Sequence, residues 1–188
     1  MKLTYCVLLG AFVLPFISTT SSANTSLPIG ENLIQPLPLP EDSWTEYEKK
    51  EGKTYIRKWV RDNGANQMLT AIFNGDKASN ISQTKEIDSK TGKKNCNEFR
   101  ETEIKNGEEN GYPTISWLSS CKLKGGKTIS VLHKVISGKD SSYHLRRIWT
   151  KGYSDEALSA WKTYWSSVYV CDTRSETNAC PDGFQKAQ

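Results

Sequence analysis

Two imidazoles and a guanidinium fall close together in the second half of the chain, in His133, His144 and Arg146. They belong to two neighbouring β-rich runs that a short polar turn joins. If that turn is a two-residue loop at Lys139-Asp140, His133 lies opposite Arg146 and both histidines share one sheet face. An arginine fork beside imidazoles suits a carboxylate or another anion. These three residues are the candidate ligand site. The alternative is that they are edge residues that pair with acidic side chains across the sheet.

The hairpin loops also fix which side chains share a face. We take Gly125-Gly126 as the preceding two-residue loop. Leu118 then lies opposite His133. One step along, Trp117 lies opposite Lys134. One face carries Leu118, Ile129, Val131, His133, Val135, His144, Arg146 and Ile148, and the other carries Trp117, Leu132, Lys134, Ile136, Tyr143, Leu145, Arg147 and Trp149. Both are too apolar to stand in water, so we expect a helix, the leader or a partner over each.

No pattern typical of catalysis accompanies these residues. The chain lacks both the Gly-x-Ser-x-Gly turn of a nucleophile elbow and a phosphate-binding glycine loop. Neighbouring acids such as Glu108-Glu109 are typical of a solvated surface. We therefore assign no catalytic residue and expect no cofactor. A secreted hydrolase that uses His133 or His144 is the alternative.

Four cysteines, Cys96, Cys121, Cys171 and Cys180, form an even set after the N-terminal segment. Zinc sites favour Cys-x-x-Cys or comparable histidine spacings, which these cysteines lack, so we expect disulfides and no metal site. Three pairings are open. We favour Cys96 with Cys121 and Cys171 with Cys180, because each closes a short local loop. Each bridge would contribute about 3 kcal/mol of stability.

The N-terminus has the layout of a signal peptide over residues 1–23. Lys2 precedes an apolar run at 5–17, and small residues follow up to Ala23. The run is shorter than the roughly 20 residues that span a bilayer. We therefore expect cleavage after Ala23, with Cys6 removed, and a periplasmic or secreted protein with no membrane span in the mature chain.

The rest of the chain predicts a single domain at 44–181. Residues 24–43 are rich in proline, which removes backbone donors, so we expect an extended leader outside the core. Residues 182–188 form a tail. Net charge is +4 over 188 residues, without a clustered basic stripe, which argues against a nucleic-acid partner.

Strand-like and helix-like patterns alternate within this domain. Predicted strands lie at 44–47, 55–60, 68–73, 99–104, 114–123, 128–137 and 143–150, with a loop at 106–113. A polar segment at 77–94 predicts a helix with Ser79 as its N-cap. A clearer amphipathic helix begins after Ser154 and carries Trp161 and Trp165 on one face. The fold class is α+β: an antiparallel β-sheet meander packed against a C-terminal amphipathic helix and stapled by two disulfides.

Two short segments resemble an uncharacterised family of exported proteobacterial proteins. They are Asn110-Gly111-Tyr112-Pro113, followed by Trp117 and Cys121, and Val170-Cys171-Asp172-Thr173-Arg174 with Cys180-Pro181. The resemblance implies a periplasmic or secreted protein and the same two cysteine pairs. The order of strands before a last helix is also similar to small α+β folds of the PsbP and DcrB type. No activity follows from either resemblance.

These observations favour an exported, non-enzymatic binding or interaction protein. Its partner would be a protein, peptide or glycan, such as an envelope or host component. An inhibitor or immunity-type protein that inserts the loop at 106–112 into an enzyme is a further alternative.

Overall fold

The computed structural model describes residues 28–75 and 80–181. These residues form ten strands and two α-helices, which confirms the α+β class. In chain order the elements are β1 (Glu31–Ile34), β2 (Thr45–Glu51), β3 (Thr54–Arg61), β4 (Asn66–Asn74), α1 (Ile81–Asn95), β5 (Glu98–Glu101), β6 (Lys105–Glu109), β7 (Tyr112–Lys122), β8 (Thr128–Ser137), β9 (Ser141–Trp149), α2 (Asp155–Ser166) and β10 (Tyr169–Asp172).

The larger sheet is antiparallel and has the strand order β2-β3-β4-β9-β8-β7-β5, with β6 also paired to β7. The two predicted meanders, β2-β3-β4 and β7-β8-β9, thus join through β4 and β9. Strands β1 and β10 form a separate two-stranded sheet. The strands that carry His133, His144 and Arg146 therefore lie inside the larger sheet, away from its edges.

The helices cover opposite faces of this sheet. Helix α1 lies over the face of His133 and Arg146, which we call the helix-1 face. Helix α2 lies over the other, the helix-2 face, where Trp161 and Trp165 enter the main core. Each helix therefore shields one face of the sheet from water.

Each helix begins at a side-chain cap. The Ser154 hydroxyl accepts from the Ala157 amide at 3.2 Å, as predicted for α2. Helix α1 begins later than predicted, and the Asn80 side chain accepts from the Gln83 amide at 2.7 Å. Ser79, the predicted cap, lies outside the described residues.

The register of β7 against β8 differs by one residue from the prediction. The hairpin loop has three residues, not two, because the Leu123 amide donates to the Lys127 carbonyl at 2.8 Å. Trp117 consequently lies opposite His133 on the helix-1 face, and Leu118 lies on the helix-2 face. The β8–β9 register is as predicted.

The predicted loop at 106–113 is also wrong, since it contains most of β6 and the start of β7. Strands β5 and β6 both pair with β7 and form one bulged edge strand. Residues 102–104 lie opposite Trp117 and Leu118, one residue more than the partner strand offers. Charged residues are common on exposed edge strands as well as in loops. The polarity of this segment was therefore misread as a loop.

The leader prediction is wrong for the described residues 28–43. Strand β1 pairs with β10, and Leu39 is buried in the main core. Each proline lacks only its own backbone N–H donor, and β1 contains no proline. Strand β1 therefore keeps the N–H groups that pair with β10. Residues 1–27 and 182–188, which include the predicted signal peptide and tail, lie outside the described residues.

Arg147 contacts this segment from within the core. Its side chain is fully buried, and its guanidinium carbon lies 4.6–5.1 Å from the ring centres of Trp44, Trp149 and Trp161. The guanidinium also donates to Glu41 Oε2 at 3.0 Å. Burial lowers the pKa of Arg147 to about 10, although Glu41 opposes this, so the group stays charged at neutral pH.

The predicted disulfides, Cys96–Cys121 and Cys171–Cys180, are both present. The two segments of the family resemblance also meet in space. The Asn110 side chain donates to the Val170 carbonyl at 2.9 Å and to the Asn178 carbonyl at 3.2 Å. Each segment therefore helps to fix the end of the other, a structural role.

Candidate functional site

The predicted ligand group is assembled on the helix-1 face, with α1 lying over it. Arg146 Nη2 donates to Asp88 Oδ1 at 2.7 Å and to Oδ2 at 2.9 Å. Asp88 Oδ2 also lies 3.4 Å from His133 Nδ1, at ion-pair distance but without hydrogen-bond geometry. The acid that meets Arg146 thus comes from the helix above, which matches the alternative of pairing with acids more closely than an open site does.

Burial sets the charge of this group. Burial lowers the pKa of His133, and the Asp88 carboxylate offsets this only in part. Burial raises the pKa of Asp88, but His133 and Arg146 together hold it below its ordinary value. At neutral pH we therefore expect a neutral imidazole beside an intact Asp88–Arg146 ion pair.

His144 lies apart from that ion pair. Its ring centre is 4.7 Å from that of Phe73, and its Nε2 is 3.4 Å from Thr84 Oγ1 on α1. Burial, with a further contribution from Arg146, lowers the pKa of His144 to about 4. The structure thus brings His133 and Arg146 together through Asp88, while His144 contacts α1 separately.

Ser119 extends the group into an order familiar from serine hydrolases. Its Oγ lies 2.8 Å from His133 Nε2, and His133 Nδ1 faces Asp88. Hydrolysis also needs an accessible hydroxyl and convergent N–H donors for an oxyanion. Ser119 is instead buried in the middle of β7, paired with Glu101 and Val131 on its two sides. We interpret the Ser119–His133–Asp88 contacts as an internal network that holds α1 against the sheet.

Sequence reasoning missed both partners of His133. Asp88 lies in a polar helix whose sequence has no clear apolar face. The sequence therefore did not indicate that the Asp88 side chain points towards the sheet. The predicted β7 register placed Trp117, and with it every second residue, on the face away from His133. A three-residue reading of the loop would have placed Ser119 beside it.

A cleft of about 560 Å³ opens on the helix-2 face and includes none of the three predicted residues. It lies between the β5–β6 bulge, β7 and the end of α2. Its apolar wall includes Ile104, Leu118, Leu132 and Trp165. The volume falls within the roughly 300–1,000 Å³ of small-molecule pockets, and a few polar groups join the apolar wall, as is typical of such pockets.

Lys134 forms the polar floor of this cleft. Its ammonium donates to the Val168 carbonyl at 2.7 Å, to the Trp165 carbonyl and to the Glu109 carboxylate. Burial lowers the pKa of Lys134, and Glu109 opposes the shift. The ammonium thus satisfies carbonyls at the C-terminal end of α2 and fixes that end against β8.

The mouth of the cleft carries exposed charges, in contrast to the buried ammonium of the floor. Lys105, Lys162 and Glu103 all line it and are exposed. In the described part of the chain, neither lysine takes part in an ion pair. Two cations and one anion therefore remain available to a ligand.

Within residues 28–75 and 80–181, no cluster of three or more His, Cys, Asp or Glu is arranged to hold a metal ion. In the same residues, neither helix is long and apolar enough to cross a membrane.

Similarity to known proteins is found among solved structures. No family model and no curated protein matches the chain. A crystal structure of PA94, a protein of unknown function from Pseudomonas aeruginosa, is similar with a TM-score of 0.45 and 11% identity, over 66% of this chain and 95% of that one.

Proposed function

We propose that this protein is an exported, non-enzymatic binding protein whose ligand occupies the cleft on the helix-2 face. The observation that carries the proposal is the concave apolar wall above the buried Lys134 network, with two exposed lysines at its mouth. Such a combination gives a ligand both contact area and orientation. Export is supported by the pattern of residues 1–23, and two disulfides are compatible with an oxidising compartment.

A neutral apolar fluorophore, N-phenyl-1-naphthylamine, tests the binding role with the disulfide-bonded protein. Ile104 is 42% exposed and lines the cleft, so Ile104→Gln removes apolar wall without opening the core. We expect roughly fivefold weaker probe binding, because a half-buried isoleucine contributes about 1 kcal/mol.

Ile87→Gln is the matched control. Ile87 is 59% exposed on α1, across the sheet from the cleft, so this variant should bind the probe as the unaltered protein does. A protein that does not bind the probe, or equal losses in the two variants, would show that the cleft is not a binding site.

The hydrolase alternative is favoured by one observation, the Ser119–His133–Asp88 chain. A fluorophosphonate reagent distinguishes it from the binding role. We expect no labelling of folded protein, since Ser119 is buried, and we expect Ser119→Ala to lower stability by about 1 kcal/mol. Stoichiometric labelling that disappears in Ser119→Ala would instead favour the hydrolase.

A further inference from the structure

We propose that the ligand of the cleft is a small amphipathic monocarboxylate, with its apolar chain in the cleft and its carboxylate facing Lys105 and Lys162. This inference rests on the binding role proposed above and adds the chemical class of the ligand. It is carried by the division of the cleft into an apolar wall, a neutralised floor and a cationic mouth.

The apolar wall of the cleft favours a ligand with a hydrocarbon portion. Leu118 is only partly buried although it packs against the main core, and Ile104 stands exposed beside it. Trp165 closes the side formed by α2. A hydrocarbon chain along these three side chains would remove apolar surface from water, on both ligand and protein, without burying an unpaired polar group.

The floor does not supply the charge that would select a ligand. The Lys134 ammonium already has Glu109 and the carbonyls of Trp165 and Val168 as partners. An ammonium has three donors, so these acceptors complete its set. A ligand carboxylate placed on the floor would have to displace Glu109, which makes the mouth the better position.

The mouth has the complementary charge for one anion. Lys105 and Lys162 contribute two positive charges, and Glu103 contributes one negative charge. The single excess positive charge matches a monocarboxylate, whereas a cationic head group would face two lysines. Ammonium groups bind as flexible point charges, so contact with a carboxylate needs no fixed bidentate geometry.

Competition for bound N-phenyl-1-naphthylamine tests the ligand class with three molecules of equal chain length: dodecanoate, dodecanol and dodecylammonium. Each is used below its micelle-forming concentration, at a pH where dodecanoate is ionised. We expect dodecanoate to displace the probe at about tenfold lower concentration than dodecanol, from two exposed charge contacts. Dodecylammonium should be the weakest.

Substitutions locate the preference. Lys105→Gln and Lys162→Gln should each reduce the advantage of dodecanoate over dodecanol about threefold, and Lys162→Arg should retain it. Lys124→Gln makes the same change in net charge on a hairpin loop outside the cleft, so it should leave the advantage unchanged. Added salt should weaken the preference for the carboxylate but not binding of the alcohol.

The outcomes separate the two proposals. Equal displacement by all three molecules, or an advantage that the lysine variants leave intact, would overturn the ligand class while the binding role stands. Strongest displacement by dodecylammonium would show that Glu103 dominates the mouth and would also overturn it. A protein that never binds the probe would refute the binding role itself.

Discussion

The buried histidines make acid stability a test at the scale of single residues. Burial lowers the pKa of His144 from 6.5 to about 4, and the groups that face it are Arg146, Asp88 and His133. His133 shifts in the same direction, again mainly through burial. Both imidazoles are therefore easier to protonate in the unfolded chain than in the folded one.

We expect the free energy of unfolding to fall as the pH drops from 6.5 towards about 4. In this window the unfolded chain binds a proton at His144 and the folded chain does not, which costs on the order of 3 kcal/mol at the lower end. The lowered pKa of Asp88 adds a loss in the same direction at still lower pH. Urea unfolding at a series of pH values measures the slope.

His144→Gln tests the assignment of that slope. Glutamine keeps a polar side chain towards Thr84 and does not titrate, so the variant should show a shallower decline over the same window. An unchanged slope would place the acid sensitivity at other groups and would contradict the neutral, buried His144 described above.

At the scale of elements, the turn between β6 and β7 should depend on its glycine. Gly111 has a φ of +77°, and a β-carbon there would collide with the Asn178 side-chain nitrogen. Gly125 also has a positive φ, +100°, but a β-carbon there would meet nothing within 4 Å. Gly111→Ala therefore combines backbone strain with a clash, whereas Gly125→Ala has the strain alone.

We expect Gly125→Ala to cost about 1 kcal/mol and Gly111→Ala at least about twice as much. Thermal and urea unfolding of both variants measures the difference. Equal losses would mean that the contact between the β6–β7 turn and the C-terminal segment does not contribute to stability.

The elements also show how far the sequence leads. Alternating strands, the Trp161/Trp165 helix and the cysteine pairs were predictable, because local periodicity and short loops determine them. Strand β6 was not, since charged residues suit an edge strand as well as a loop. The β7 register was not either, because nothing local distinguishes a two-residue from a three-residue loop around Gly125-Gly126. This one-residue shift in register determines which sheet face Trp117 and Leu118 lie on.

The cleft was beyond prediction for a related reason. Its wall combines Ile104 from a bulge, Leu118 from a strand whose face was misassigned, and Trp165 from a distant helix. Pairing of the bulged edge with β7 brings Ile104 to Leu118, and the docking of α2, to which Lys134 contributes, adds Trp165. Side chains assembled from elements far apart in sequence leave no local spacing for a motif to show.

At the scale of the whole molecule, Arg147 joins parts that are far apart in the chain. It contacts Glu41 and Trp44 from the N-terminal segment, Trp149 from its own strand and Trp161 from α2. The segment at 28–43 is thereby fastened to the same core as the sheet and helix. A defect here should loosen that segment before the rest of the domain.

We expect Arg147→Lys to lower the free energy of unfolding by about 3 kcal/mol, because it leaves partners of a buried charge unsatisfied. Lysine cannot reach Glu41, Asn66 and the Ile148 carbonyl together, all of which the guanidinium contacts at 3.0 Å or less. Hydrogen exchange should rise first at 28–44. This order distinguishes a lost anchor from a general loss of packing.

Arg57→Lys is the matched control, since Arg57 also pairs with a glutamate, Glu46, and lies 5.0 Å from a tryptophan ring, that of Trp59, but is partly exposed. Exposed ion pairs contribute less than about 1 kcal/mol, so this variant should unfold almost as the unaltered protein does. If both variants behaved alike, or if exchange rose uniformly along the chain in Arg147→Lys, the N-terminal segment would be held by its apolar contacts and by pairing of β1 with β10. The burial of Arg147 among three tryptophans would then contribute to the core without acting as the anchor.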